Sequence, residues 1–270
     1  MNYKDLKGYL IAVDLDNTII TGFDTKDNES FDILRELAKN NYVVIATGRP
    51  WRSSCYFYQD LELNTPIINY NGAYVHHPFN PSFEETMISI DKTKLCKFIK
   101  DNKDILVNAF CEVKDDIYLL RHTEAILPYL HQDGGNLHIG DFEEILPENP
   151  NGAILFTQIG SDHILQEYVD KEYKEVLLRH WFTNETSVGE LYNPLTSKAQ
   201  ALEKICKYYN IDKNKTIAFG DGHNDIEMLE FCKIGVAMEN SHPDLLKVCT
   251  HVTDSVFNNG VANFFKKHKF

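Results

Sequence analysis

Short apolar runs, each ending in a polar cluster, mark both ends of the chain. Tyr9-Leu10-Ile11-Ala12-Val13 leads into Asp14-Leu15-Asp16. Tyr42-Val43-Val44-Ile45-Ala46 leads into Thr47-Gly48-Arg49, and Pro66-Ile67-Ile68-Asn69-Tyr70 into Asn71-Gly72. Unbroken runs of this length are the pattern of strands buried on both faces. Between the first two, Phe31, Leu34, Leu37 and Ala38 recur at helical spacing. Strand, helix, strand, helix and strand in succession predict a parallel α/β sheet. The rhythm resumes near the far end. Ala199, Leu202, Ile205, Cys206 and Tyr209 predict an amphipathic helix, and Thr216-Ile217-Ala218-Phe219 a strand running into Gly220-Asp221-Gly222. A helix from about Asn224, a strand Ile234-Gly235-Val236-Ala237 and a last helix near Phe264 follow.

The middle reads differently. Strands are expected over 106–111, 117–120, 153–159, 176–182 and 187–192, with helices over 92–100 and 162–171. Several of these strands alternate apolar with polar residues, as an antiparallel sheet with one wetted face does. The expected fold is therefore an α/β, Rossmann-like parallel-sheet core formed by residues 1–83 and 192–270, with an α+β domain inserted over 84–191. The inserted segment also holds Asn184-Glu185, a predicted turn.

Composition narrows the function classes. The chain has 270 residues, 43% hydrophobic and 25% charged, which is globular material with enough apolar residues for a core. Its 27 basic and 40 acidic residues give a net charge of −13. Nucleic acid and anionic membranes both attract a basic footprint, so neither is an expected partner. The six cysteines show no CxxC pair and no zinc-finger partner, the usage of reduced thiols in the cytoplasm. Residues 1–8 are polar and do not form a signal peptide. No apolar run approaches the roughly 20 residues that span a bilayer. The expected setting is cytoplasmic.

Ligands of open α/β sheets bind beyond the carboxyl ends of the strands. Four polar clusters fall there: Asp14-Leu15-Asp16-Asn17-Thr18, Thr47-Gly48-Arg49, Lys198, and Gly220-Asp221-Gly222-His223-Asn224-Asp225. Any one acid after a strand is more often a turn or cap residue. Their joint occurrence at one sheet edge points to chemistry. Asp14, Asp16 and Asp221 would concentrate negative charge that no fold tolerates unpaired. A hard cation resolves this, and Mg²⁺ suits one or two carboxylates, waters and a phosphate. Residues two apart in a strand face the same side, so Asp14 and Asp16 can address one centre. Lys198 would balance the charge and hold a phosphate, to which the Thr47 hydroxyl and the Gly48 N–H can donate.

These clusters resemble, in order, the four motifs of the haloacid dehalogenase (HAD) superfamily, beginning with its DxDx[TV] nucleophile motif. Asn71-Gly72-Ala73, Gly235-Val236-Ala237-Met238 and Asn259-Gly260-Val261-Ala262 narrow the resemblance to the Cof-type sugar-phosphate phosphatases, whose α+β cap (type IIB) is inserted between the second and third motifs. The resemblance implies that Asp14 attacks phosphorus and forms an aspartyl phosphate. Asp16 would protonate the leaving alkoxide and then deprotonate the hydrolytic water. Mg²⁺ would be held by the Asp14 carboxylate, the Asp16 carbonyl and Asp221, with Asn224 or Asp225 in direct or water-mediated support. The substrate would be a small phosphorylated metabolite. A second acid two residues after the nucleophile favours hydrolysis or a mutase-type transfer, as in phosphomannomutases, over dehalogenation. A phospho-accepting receiver shares some of these residues but is about half this length and lacks the second acid.

Two departures stand out. Ala199 follows Lys198 where this group usually has Gly, and Asn193-Pro194-Leu195-Thr196 is less typical of the return to the core. Arg49 is a candidate for phosphate, for a substrate carboxylate, or for pairing with a core acid. Asn71 is expected at the substrate rim. His223 reads as structural or solvent-facing, because imidazole suits zinc better than a hard oxygen site. In the insertion, Arg121, His122, Arg179, His180 and Trp181 are long enough to reach a substrate, although surface charge or sheet packing is the commoner role for such residues.

Overall fold

In the computed structural model, which describes residues 2–22, 24–182 and 187–270, five short strands form the central sheet. They are β1 (Leu10–Val13), β2 (Tyr42–Ile45), β3 (Thr216–Gly220), β4 (Ile234–Met238) and β5 (His251–Thr253). Their order is β5-β4-β3-β1-β2, and every pairing is parallel. The chain leaves β1 for β2 on one side and later returns to β3 on the other. That reversal makes a switch point at the carboxyl end of β1, where an open α/β sheet binds its ligand.

Burial on both faces explains the unbroken apolar runs. Successive side chains alternate across a strand, so Leu10 and Ala12 face one way with Val44 and Ala218. There they pack with Ala201, Leu202 and Ile205 of the helix Lys198–Tyr209. On the other face Phe219 meets Phe264 and Phe265, which lie 5.3 Å away between ring centroids on the helix Gly260–Lys267. Each fully buried Leu, Ile, Val or Phe among them contributes roughly 1.5–3 kcal/mol. The helix Asn28–Ala38 starts at Asp27, whose carboxylate caps the Ser30 N–H at 3.1 Å.

The third predicted strand takes a different place. Ile67–Asn69 meets the chain just past β2 through a parallel bridge between Ala46 and Ile68. It pairs instead with Tyr74–His76 as an antiparallel hairpin, in a three-stranded sheet completed by Thr86–Met87. The cause is the turn that follows it, because Tyr70, Asn71 and Gly72 all have positive φ (49°, 55° and 106°) and reverse the chain.

Two compact units result: Met1–Arg49, Ser54–Thr86 and Ser197–Phe270 form the first, and Pro50–Ser53 with Met87–Thr196 the second. Arg52 shows why four residues near position 50 join the second unit. Its guanidinium pairs with Glu112 and donates to the carbonyls of Leu130 and His131, both at 2.8 Å. The second unit is built on a six-stranded sheet in the order Leu137–Ile139, Asp116–Leu119, Leu106–Val113, Gly152–Thr157, Ser187–Tyr192, Leu177–Phe182. All its pairings are antiparallel except that of Leu137–Ile139 with Asp116–Leu119. The helices Lys92–Asp101 and Asp162–Glu172 cover one face through Leu95, Phe98, Leu165 and Val169. The opposite face, expected to be wetted, carries a second apolar cluster. Phe110, Ile117, Leu119, Phe156 and Val188 pack there against Ile126 and Leu130 of the 3-10 segment Glu124–Leu130.

Candidate active site

The first unit alone brings the predicted clusters together. Asp14 follows the last residue of β1, and its N–H extends the ladder to the Phe219 carbonyl at 3.0 Å. The strand ends there, because the Leu15 carbonyl accepts from the N–H groups of Thr18, Ile19 and Ile20 and closes a tight turn. Asn17 enters that turn with φ 54°, a left-handed conformation that asparagine tolerates better than most residues. The strand period therefore stops before Asp16. Asp14 is buried against Lys198, while the Asp16 side chain, 43% exposed, lies on Arg49.

Lys198 is the first residue of its helix and only 1% exposed. Its ammonium sits 2.7 Å from Asp14 Oδ1 and 2.6 Å from Asp225 Oδ1. The other Asp225 oxygen accepts from the N–H groups of Asp221 and Gly222, at 3.0 and 2.9 Å. Gly220 makes this possible. A Cβ at that position would stand 2.5 Å from the Asp225 carboxyl carbon, so only glycine lets the loop close over the acid. Asp221 accepts the Thr18 hydroxyl at 3.2 Å. One oxygen each of Asp14 and Asp221 is left with no hydrogen-bond partner among the described residues.

The charge balance of this cluster is unfavourable as it stands. Carboxylate oxygens of Asp14, Asp221 and Asp225 lie within 4.8 Å of one another, facing a single ammonium. Burial opposes the charged form of Lys198, yet Asp14 and Asp225 outweigh it and hold its pKa above the ordinary lysine value. The acids do not fare as well. Burial pushes Asp14 far above the usual carboxylate range; Lys198 opposes this, and Asp225, Asp221 and Asp16 add to it. Asp221 is pushed to about 7, by burial first and by Asp225 next, against the Thr18 hydrogen bond and Lys198. Surplus negative charge at a buried site with open carboxylate oxygens is what a hard divalent cation neutralises.

The remaining candidates line the same end of the sheet. Thr47 is fully buried, and its Oγ1 accepts the Arg49 N–H at 3.1 Å. Asn71 donates its N–H to the Thr47 carbonyl at 3.0 Å, and its Oδ1 accepts from Asn224 Nδ2 at 2.9 Å. That side chain also lies against Gly48, where a Cβ would come within 3.3 Å of Asn71 Oδ1. Asn224 is thus tied to Asn71, and Asp225 to Lys198 and its own loop. Of the partners weighed for Arg49, the structure takes the core acid. Its Nε and a terminal nitrogen bond Asp16 at 2.9 and 2.5 Å, so the guanidinium lies on a carboxylate.

His223 is exposed, with its ring 5.7 Å from that of His242. In the second unit, Arg121 donates to the carbonyls of Leu106 and Val107 and His122 is exposed. Arg179 pairs with Glu190 at 3.4 Å and His180 lies 3.6 Å from Asp162. The turn expected at Asn184-Glu185 and the side chain of Trp181 lie outside the described residues.

Two contributors went unassigned in the sequence. Thr18 orients Asp221 across 203 residues of chain. Asn240 donates to the Asn17 carbonyl at 2.9 Å and accepts the Val256 N–H at 3.2 Å, tying the Asp14 loop to the β4 loop. Its position just past the end of β4 was the available signal, since polar residues at that sheet edge are candidates by topology.

Gly72 supports Lys198 from behind. A Cβ there would lie 2.5 Å from the Ser197 carbonyl oxygen, and φ is +106°. Ser197 caps the Lys198 helix, so any displacement passes directly to the ammonium. Gly72→Ala is expected to cost about 1–3 kcal/mol of stability, the scale of local backbone strain, and to lower activity at least about tenfold, because small misplacements of a catalytic group are expensive. Denaturant melts and steady-state kinetics check this; an unchanged midpoint and rate would contradict it.

Comparison with known proteins places the chain in a family. The profile of the haloacid dehalogenase-like hydrolase family matches residues 11–265. A Bacillus subtilis protein named 5-amino-6-(5-phospho-D-ribitylamino)uracil phosphatase YitU is 34% identical, over 98% of each chain. Escherichia coli pyridoxal phosphate phosphatase YbhA is 26% identical, over 96% of this chain and 98% of its own. A solved haloacid dehalogenase-like hydrolase from Bacteroides thetaiotaomicron superposes with a TM-score of 0.79 at 20% identity, covering 97% of this chain and 99% of that one. With its parallel core, inserted α+β unit and phosphatase relatives along its whole length, the chain belongs to the haloacid dehalogenase-like hydrolases, as a phosphatase of the Cof type.

Proposed function

We propose that this phosphatase hydrolyses small phosphate monoesters of the sugar-phosphate class, with Mg²⁺, through a phosphoryl group carried on Asp14. The observation that carries the reading is the buried cluster at the end of β1, where Asp14 and Lys198 stand 2.7 Å apart among two further carboxylates. Asp14 attacks phosphorus through one carboxylate oxygen, and the bond from phosphorus to the ester oxygen breaks. Asp16 gives a proton to the departing oxygen, then takes one from the water that attacks the aspartyl phosphate. That attack breaks the bond to Asp14 and releases inorganic phosphate. The Thr47 hydroxyl, the Gly48 N–H and Lys198 hold the phosphoryl oxygens, where positioning and electrostatics supply most of the rate.

Donors for the cation are at hand. The open oxygens of Asp14 and Asp221 and the Asp16 carbonyl form an all-oxygen set, and oxygen donors suit Mg²⁺. Asn224 supports the set from its bond to Asn71, while Asp225, with both oxygens engaged, holds Lys198 and the loop. When bound, the cation supplies neutralising charge and polarises the phosphoryl oxygens.

The relative at 34% identity acts on a phosphorylated ribityl compound by its name, which supports a sugar or sugar-alcohol phosphate as substrate. None of the six cysteines forms a disulfide among the described residues, which suits a reducing cytoplasm. No helix among the described residues is long and apolar enough to cross a membrane.

The purified protein is expected to release inorganic phosphate from p-nitrophenyl phosphate and from a panel of sugar and ribityl phosphates. EDTA should abolish the release and Mg²⁺ restore it. Phosphate release separates this reaction from a mutase, which conserves ester phosphate. A folded, Mg²⁺-supplied protein inert across the panel, or active in excess EDTA, would overturn the proposal.

A further inference from the structure

Arg49 is more firmly held than the acid it touches. Its N–H donates to Thr47 Oγ1 at 3.1 Å, and its carbonyl accepts from Asn69 Nδ2 at 2.9 Å. Its guanidinium carbon lies 5.5 Å from the ring centroid of Phe57, itself buried and edge-on to Phe31 at 6.3 Å. The Arg49 side chain is 5% exposed, against 43% for Asp16. Among the described residues, the Asp16 carboxylate has hydrogen bonds only from Arg49: Nε reaches both oxygens, at 2.9 and 3.2 Å, and a terminal nitrogen reaches one at 2.5 Å.

A planar guanidinium bound through two nitrogens fixes the plane of a carboxylate, which a single ammonium does not. An exposed aspartate without such a partner would sample several rotamers, and only some of them aim an oxygen at the ester bond. We propose that Arg49 is a positioning residue, whose fork sets the orientation from which Asp16 exchanges protons with the leaving oxygen and with water. This inference rests on the acid/base reading of Asp16 given above. It differs from a role for Arg49 in gripping phosphate, and the difference is measurable.

Proton donation matters for an alkyl ester, whose leaving oxygen is a poor one, and little for an aryl ester. The value of kcat/KM reports the steps up to departure of that oxygen. Arg49→Gln is expected to lower kcat/KM for an alkyl phosphate by roughly 10–100-fold, the scale of a misplaced catalytic group. For p-nitrophenyl phosphate the loss is expected to stay below about fivefold, and the alkyl loss is expected in kcat more than in KM. In an Asp16→Asn background, Arg49→Gln is expected to add less than about twofold, because partners acting as one unit are not additive. Arg49→Lys keeps the charge without the fork and is expected to resemble Arg49→Gln on the alkyl ester. Should Arg49→Gln fail to fold, judged by circular dichroism, Arg49→Lys on the two esters decides. Equal losses on both esters carried by KM, losses additive with Asp16→Asn, or no loss on either ester would each overturn the inference. Asp16→Asn alone serves as the separate control: undiminished turnover of the alkyl ester would remove the underlying reading, while its loss with an insensitive Arg49→Gln would remove this inference alone.

Discussion

Asp14→Asn is expected to abolish turnover, by on the order of 10⁴-fold or more, the scale on which a catalytic nucleophile is missed, while the protein stays folded. Asparagine matches aspartate in shape but presents no carboxylate to attack phosphorus. The fold should tolerate it for an electrostatic reason. Burial and three neighbouring acids already push the Asp14 carboxyl far above its ordinary range, so removing its charge relieves crowding. Lys198 would keep the Asp225 carboxylate at 2.6 Å as its counter-ion. Melting of the metal-free variant is therefore expected at or above the wild-type midpoint. Near-wild-type hydrolysis by Asp14→Asn would contradict the mechanism, and an unfolded variant would contradict the electrostatic account.

Lys198→Met should injure both fold and activity, which sets it apart from Asp14→Asn. Methionine fills much of the same volume but leaves Asp14 and Asp225 facing each other without a cation at a site 1% exposed. Breaking a buried pair by removing one partner costs about 3–5 kcal/mol. Loss of a preorganised charge on the transferring group costs roughly 10²–10³-fold in kcat. Denaturant unfolding of the metal-free protein, with kinetics in saturating Mg²⁺, would show both. A stable Lys198→Met protein would mean that the two carboxylates shed their charge or find another partner, contrary to the cluster described here.

Most of the core was legible because burial leaves a plain record. Four-residue runs such as Leu10-Ile11-Ala12-Val13 appear unbroken only when both sheet faces are covered, and the polar residues at their carboxyl ends mark the ligand edge. The inserted sheet was legible from its alternation, but its second face was not. Phe110, Ile117 and Phe156 pack on the face opposite the helices, which a sheet with one wetted face would leave to solvent, and the 3-10 segment Glu124–Leu130 covers them. The run Ile67–Asn69 looked like another parallel strand because a three-residue run cannot reveal its neighbour. Only the left-handed turn through Tyr70, Asn71 and Gly72 decides it.

At the site, residue types were readable and pairings were not. Asp14, Lys198 and Asp221 announce themselves by chemistry and place. That Asp16 lies on Arg49, 33 residues away, and that Asp225 belongs to Lys198 depend on loop geometry that side-chain period does not encode. The strand stops at Val13, so strand alternation does not set where the Asp16 side chain lies.

The most direct test of the covalent account is to trap the phosphoryl group. Protein mixed with a ³²P-labelled sugar phosphate and Mg²⁺, quenched in acid within a turnover and digested, should yield one labelled, hydroxylamine-sensitive peptide containing Asp14, and Asp14→Asn should yield none. Wild-type protein that turns over yet carries no label at any quench time, or carries it on a residue other than Asp14, would contradict the account.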